Sequence, residues 1–158
     1  MTAFERLEQT AYDSNIYLLT ASLPVNGYYY STEEFKTITL NTALGTTCER
    51  CCVLAEELGH HYTTPIDLFK ASPHLQERYE RRALQWATYE LVPLHRLVRA
   101  WQRGIRSVWD LAEYLNVTEA FLRRALELYE TQYGVCARFG DYCIHFRPME
   151  VTRYAKHA

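Results

Sequence analysis

The stretch from Cys52 to Tyr62, CVLAEELGHHY, constrains the fold more than any other part of the chain. If it is helical, Glu56 and His60 lie one turn apart on the same face, and Glu57 points into the same space. Carboxylates and an imidazole at this spacing are groups that bind a metal ion or transfer a proton. We therefore expect this helix to carry the functional site, with the rest of the chain arranged around it.

The same residues differ at one position from the H-E-x-x-H pattern of zinc peptidases. In that pattern the two histidines bind zinc, and the glutamate after the first histidine is the general base. Glu56 occupies the position of the first histidine, and a carboxylate oxygen is an accepted zinc ligand. The pattern therefore predicts Zn²⁺ bound by Glu56 and His60, with Glu57 as the base. An ordinary acidic helix with a surface pair of histidines is the alternative interpretation.

A catalytic zinc needs a third protein ligand, which has to come from another segment. Residues 75–91 are predicted to form a long helix, and Glu80 shares a face of it with Ala83 and with a second alanine one turn further on. Small residues on that face would let the two helices approach closely. We predict Glu80 as the third ligand, with Glu77 as the alternative. A solvated surface carboxylate remains the ordinary interpretation of either.

Composition limits the classes of protein that this chain can belong to. Its 158 residues can bury the core of one compact domain, which we divide into a core at 1–103 and a helical part at 104–158. A net charge of −2 gives no general electrostatic attraction to nucleic acid. The apolar runs are short and the first ten residues are polar, so we expect neither a membrane span nor a signal peptide. Five cysteines, an odd number, fit reduced thiols in the cytoplasm.

The first part of the chain predicts a helix followed by a small sheet. Apolar spacing indicates a helix over 4–14, and 16–20 reads as a buried strand. Segments 28–31 and 35–41 are rich in aromatic and β-branched residues and are expected to pair in antiparallel fashion. A small antiparallel sheet on the helix of Glu57 could hold an extended peptide at its edge, or could simply cover the helix.

The later part of the chain is predicted to be mainly helical, with one closing strand. Residues 108–115 and 118–129 have the outline of a helix-turn-helix. The stretch 104–134 contains three arginines against five acidic residues, a balance that disfavours DNA binding. We interpret it as a packing or partner-binding module. Alternating apolar residues predict a last strand near 142–148.

Two segments together resemble a known family. Residues 52–63 resemble the active-site helix of ImmA/IrrE metallo-endopeptidases in the form carried by phages and mobile elements. The segment 80–93, with Glu80, Ala83 and Trp86, is similar to the downstream helix of that family. The resemblance implies an α+β, zincin-like fold and cleavage of a partner transcriptional repressor, which would make the protein an anti-repressor.

The resemblance also implies roles for particular residues. His60 would be a metal ligand, Glu57 the base and Glu80 the third ligand. Glu56 departs from the His-Glu-x-x-His motif of the family. A protein that keeps the peptidase fold and acts only by binding the repressor is therefore the alternative function.

Overall fold

The computed structural model describes residues 1–65 and 70–154, which contain six helices and six strands. The predicted α+β class is confirmed. The chain divides into two compact units, Met1–Leu91 and Val92–Ala158. The boundary between the two parts was predicted after residue 103, whereas the helix Leu94–Gln102 lies in the second unit of the structure. The assignment of a function to each part stays a prediction.

The first unit contains three helices and a three-stranded sheet. Its elements are α1 (Ala3–Asp13), β1 (Ile16–Ala21), β2 (Gly27–Ser31), β3 (Lys36–Asn41), α2 (Thr47–Thr63) and α3 (Pro73–Leu91). The strand order is β1-β3-β2, and the predicted antiparallel pairing of β2 with β3 is confirmed. β1 runs parallel to β3, so the prediction of a wholly antiparallel sheet was wrong.

Burial along the strands agrees with their places in this sheet. Ile38 and Leu40 lie on the same face of β3 and are buried, and β3 lies between β1 and β2. In β1 only Ile16 is buried, while Tyr17 and Leu19 are exposed. The predicted strand at 16–20 is therefore confirmed as β1, but β1 is an edge strand and the prediction that it is buried was wrong. β2 forms the opposite edge.

Helix α2 has well-defined ends. The Thr46 hydroxyl accepts a hydrogen bond from the backbone N–H of Glu49 at 3.1 Å, and the Glu49 carboxylate accepts one from the backbone N–H of Thr46 at 2.9 Å. This reciprocal pair is a capping box. At the other end, Thr64 donates its backbone N–H to the carbonyl of His60, and Pro65 then prevents another helical turn.

A glycine brings α2 and α3 into backbone contact. A Cβ atom at Gly59 would lie 2.4 Å from the carbonyl oxygen of Ala83, a distance that no real Cβ adopts. Ala83 itself is buried and small. The two helices therefore cross directly beside His60, and this crossing brings the predicted ligands on the two helices towards each other.

The second unit places three helices before a three-stranded antiparallel sheet. Its elements are α4 (Leu94–Gln102), α5 (Val108–Leu115), α6 (Glu119–Tyr133), β4 (Ala137–Phe139), β5 (Tyr142–Phe146) and β6 (Met149–Arg153). The Tyr129 hydroxyl donates to the carbonyl of Val92 at 2.8 Å, and the Tyr129 ring stacks on Phe146. The sequence predicted only the strand equivalent to β5. β6 was missed because Val151 is its only buried residue.

The helix-turn-helix outline in the second unit has a defined turn. α5 ends at Asn116, which adopts a left-handed conformation with φ 57°. Asparagine tolerates this conformation better than most residues. Thr118 then caps α6 by accepting from the backbone N–H of Phe121. Among the helices of the described ranges, none has the length and apolar character that crossing a bilayer requires.

Candidate active site

His60 and Glu80 meet where α2 and α3 cross. The Nε2 atom of His60 lies 3.1 Å from Oε2 of Glu80. The His60 side chain is 11% exposed, whereas that of Glu80 is 58% exposed. The other ring nitrogen, Nδ1, lies 3.3 Å from the hydroxyl of Thr64, which holds the ring in this orientation. Of the two predicted alternatives on α3, Glu80 contacts the histidine.

Glu57 lies between α2 and strand β2. A Cβ atom at Gly27 would lie 3.1 Å from Cγ of Glu57 and 2.5 Å from Cγ1 of Val53. Glycine at this position lets the strand approach the helix and leaves room for the carboxylate. Burial raises the pKa of Glu57 to about 7, and the charges of Glu80 and Glu56 add to this effect. The charge of His60 and a hydrogen bond with the backbone of Tyr29 oppose it.

Burial and the neighbouring carboxylates act in opposite directions on the pKa of His60. Burial alone would lower the pKa of His60. The hydrogen bond with Glu80 and the negative charges of Glu80, Glu57 and Glu56 outweigh burial, so the pKa of His60 is raised above its ordinary value. Three carboxylates around one imidazole make an acidic cluster that favours a cation. The chemistry of the cluster is thus that of a metal or proton site.

The donor set fits a metal in residue type, with one ligand displaced. Two ligands on one tetrahedral zinc lie about 3.3 Å apart, which matches the spacing of His60 and Glu80. The ligand atoms of Glu56, His60 and Glu80 do not all lie within 4.8 Å of one another. Within 1–65 and 70–154, a group that meets this distance is formed in the second unit by Cys136, Cys143 and His145. Glu56 would have to rotate its side chain to complete the set. The three-ligand set stays a prediction.

A groove of about 730 Å³ runs alongside this cluster. Its lining residues come from β2 on one side and from α2 and α3 on the other, and include Glu57, His60 and Glu80. The hydroxyl of Tyr29 lies 2.8 Å from Nδ1 of His61. His61 also forms part of the groove wall. Burial and the charge of Lys36 lower the pKa of His61, which favours the neutral ring.

Sequence reasoning missed the tyrosines of the groove wall. Tyr28, Tyr29 and Tyr30 all line the groove. The run of three aromatic residues was visible, but it was read only as strand propensity. The three tyrosines line the groove because β2 packs beside α2, and the sequence of β2 alone does not show this packing.

These features define a peptidase-like arrangement: an acidic helix with one histidine, a carboxylate from the next helix, and an edge strand beside the cleft. Residues 12–127 match the family described as Peptidase_M78, the IrrE N-terminal-like domain. The chain belongs to this family, and the predicted ImmA/IrrE resemblance is confirmed. Membership supports a fold of the metallopeptidase type. No curated protein matches the chain.

Proposed function

We propose that this protein is a zinc-dependent endopeptidase that cleaves an extended segment of a partner protein. Glu56, His60 and Glu80 would hold Zn²⁺, and Glu57 would be the catalytic base. The observation that carries this proposal is the contact between His60 and Glu80 at 3.1 Å, beside a buried carboxylate and on the wall of a groove. A histidine and a carboxylate from two helices are a known zinc ligand combination.

The edge strand β2 supplies a way to bind the substrate. In the described residues β2 pairs only with β3, and the groove runs along it from Gly27 to Ser31. An extended peptide can add to such an edge through main-chain hydrogen bonds, which hold a backbone without requiring a particular sequence. The scissile bond would then lie next to Glu57, because Gly27 brings β2 into contact with that side chain.

Glu57 has the properties of a general base. Its carboxylate is buried, and its pKa of about 7 lies near the working pH, where proton transfer is most effective. It would take a proton from the attacking water and deliver it to the leaving amine. A bound zinc would polarise the scissile carbonyl and make the water more acidic. His60 is held by Thr64 so that Nε2 faces the position between the two helices.

Membership of the family supports a proposal for the substrate class. We propose that the partner is a helix-turn-helix repressor of a phage or mobile element, and that cleavage relieves repression in the cytoplasm. The second unit would serve as a packing or partner-binding module. We propose no direct contact with DNA, because acidic residues outnumber arginines between residues 104 and 134.

A second function is supported by one specific feature. Glu56 replaces the first histidine of the motif, and its carboxylate lies outside the pair formed by His60 and Glu80. A chain that bound zinc weakly would still present the groove and the β2 edge. It would then act as an anti-repressor by binding the repressor without cutting it.

One experiment separates these two functions. A helix-turn-helix repressor, chosen from the neighbouring genes if they encode one, is incubated with the protein and Zn²⁺, and both cleavage and binding are measured. Cleavage that is lost in Glu57→Gln and retained in Glu77→Gln supports the peptidase. Tight binding with an intact repressor supports the second function. If the protein neither binds nor cleaves this repressor, both proposals are wrong for this partner.

A further inference from the structure

A second group of metal-binding side chains lies in the sheet of the second unit. The ligand atoms of Cys136, Cys143 and His145 all lie within 4.8 Å of one another. Cys143 is buried, and the other two are half-buried. Both cysteines are free thiols. The group lies beyond residue 127, outside the segment that matches the family, so the family does not account for it.

The strand register explains why these three residues meet. Cys143 and His145 are two residues apart in β5, so their side chains point to the same face of the sheet. Arg138 of β4 pairs with Cys143, and extending this register backwards places Cys136 opposite His145. One hairpin thus brings two sulfurs and one imidazole together on one face. No loop rearrangement is required to form the group.

The same register argues against a disulfide. Cys136 and Cys143 are at diagonal positions across the hairpin, where Cα atoms lie about 7–8 Å apart. Disulfides are found up to about 7 Å between Cα atoms. The sulfur atoms of the two cysteines nevertheless lie within 4.8 Å of each other. Two sulfurs held side by side without a bond are suited to share a metal ion.

Tyr154, the residue after β6, lies beside the two cysteines. Its backbone N–H donates to the carbonyl of Asp141 at 2.8 Å, and the Arg138 guanidinium lies 4.4 Å from its ring centre. The tyrosine is therefore held in place by contacts that do not involve the thiols. It would shield one side of a bound ion.

We propose that Cys136, Cys143 and His145 form a zinc site that is separate from the site on α2 and α3. Two thiolates and one imidazole match the preference of Zn²⁺ for sulfur and nitrogen ligands, and leave a fourth position for water or another donor. Two thiolates also neutralise the charge of the ion, which suits a partly buried location. Ligands on a tetrahedral zinc are about 3.3–3.8 Å apart, so only small side-chain rotations are needed.

A metal here would stabilise a small sheet. β4 has three residues, and β5 and β6 have five each. Sheets of this size are marginal on their own. An ion bound by residues before β4 and within β5 would link two segments of the hairpin, and its binding free energy would add to folding free energy.

Cobalt substitution tests the proposal directly. Co²⁺ is added to the reduced full-length protein with His60→Ala, so that the site on α2 and α3 loses its imidazole. We expect a thiolate-to-cobalt charge-transfer band with the visible spectrum of a tetrahedral site. The band should be lost in Cys136→Ser and weakened in His145→Ala, and retained in the control Cys48→Ser, which changes a thiol in the first unit.

Zinc affinity and melting temperature give a second measurement of the site. The melting temperature is measured on the His60→Ala protein with all three proposed ligands intact, so it does not depend on how well the ligand variants fold. We expect Cys136→Ser to weaken Zn²⁺ binding more than about 100-fold, beyond the loss typical of an outer-shell partner. Zinc should raise the melting temperature of the His60→Ala protein, and a chelator should reverse this. Absence of the charge-transfer band, or its persistence in Cys136→Ser, would overturn the proposal. Neither result depends on whether the protein cleaves a repressor.

Discussion

Replacement of Glu57 by glutamine should stabilise the metal-free protein at alkaline pH. Burial raises the pKa of this carboxyl from 4.5 to about 7. In the unfolded chain the carboxyl ionises near its ordinary pKa, so between these two values the folded protein binds a proton that the unfolded chain has released. The free energy of unfolding therefore falls as pH rises through this window and levels off above it. Glutamine has nearly the same shape and carries no charge, so the variant lacks this loss.

The size of the effect follows from the shift. A difference of about 2.5 pKa units corresponds to roughly 3 kcal/mol, at about 1.4 kcal/mol for each unit. Glu57→Gln should thus exceed the wild type by roughly 3 kcal/mol in free energy of unfolding at pH 8, and by about 1 kcal/mol or less at pH 5. The same variant is expected to lose cleavage while it keeps bound metal. The same substitution would then raise the stability of the protein and abolish its cleavage activity.

Urea denaturation with a chelator present measures this effect at both pH values. Glu77→Gln is the matched control, because Glu77 is an exposed carboxylate one turn before Glu80 and its charge is solvated. The control should follow the wild type at both pH values. A Glu57→Gln gain that is equal at pH 5 and pH 8, or absent at pH 8, would refute the assignment of a buried, proton-binding carboxyl between α2 and β2.

Three other changes test separate parts of the structure. Gly59→Ala forces a Cβ to within 2.4 Å of the α3 backbone and should destabilise the first unit by about 2–3 kcal/mol in urea denaturation. Gly45→Ala is the control and should have little effect on packing, because the atom nearest to its Cβ would be 3.8 Å away. Glu80→Gln should weaken Zn²⁺ binding to protein that lacks the Cys136 thiol, measured by chelator competition; equal affinity in Glu77→Gln and Glu80→Gln would disprove the ligand choice. Tyr129→Phe removes the hydroxyl that donates to the carbonyl of the buried residue Val92 and should cost about 1–3 kcal/mol in unfolding free energy; an unchanged urea midpoint would contradict this.

Local patterns in the sequence were sufficient for the helices. Helices were predicted over 4–14, 75–91, 108–115 and 118–129, because helical periodicity acts within a few residues along the chain. The antiparallel pair formed by β2 and β3 was predictable for the same reason. The sequence also indicated Glu80 as the residue of α3 that would face α2, since Ala83 lies on the same face.

Long-range contacts were not predictable in this way. The parallel pairing of β1 with β3 depends on the strand order β1-β3-β2, which the pattern within each strand does not contain. The groove wall at Tyr29 and His61 joins residues 32 positions apart. A period of two or of 3.6 residues carries no information about contacts at such separations.

The sequence by itself determined that Glu56, Glu57 and His60 share one face of a helix, because side-chain spacing along a helix is fixed by its geometry. Only the tertiary structure decided that His60 meets Glu80, since this requires Gly59 and Ala83 to bring two backbones into contact. The same holds for Cys136, Cys143 and His145. Strand register brings these side chains together, and register is a property of paired strands.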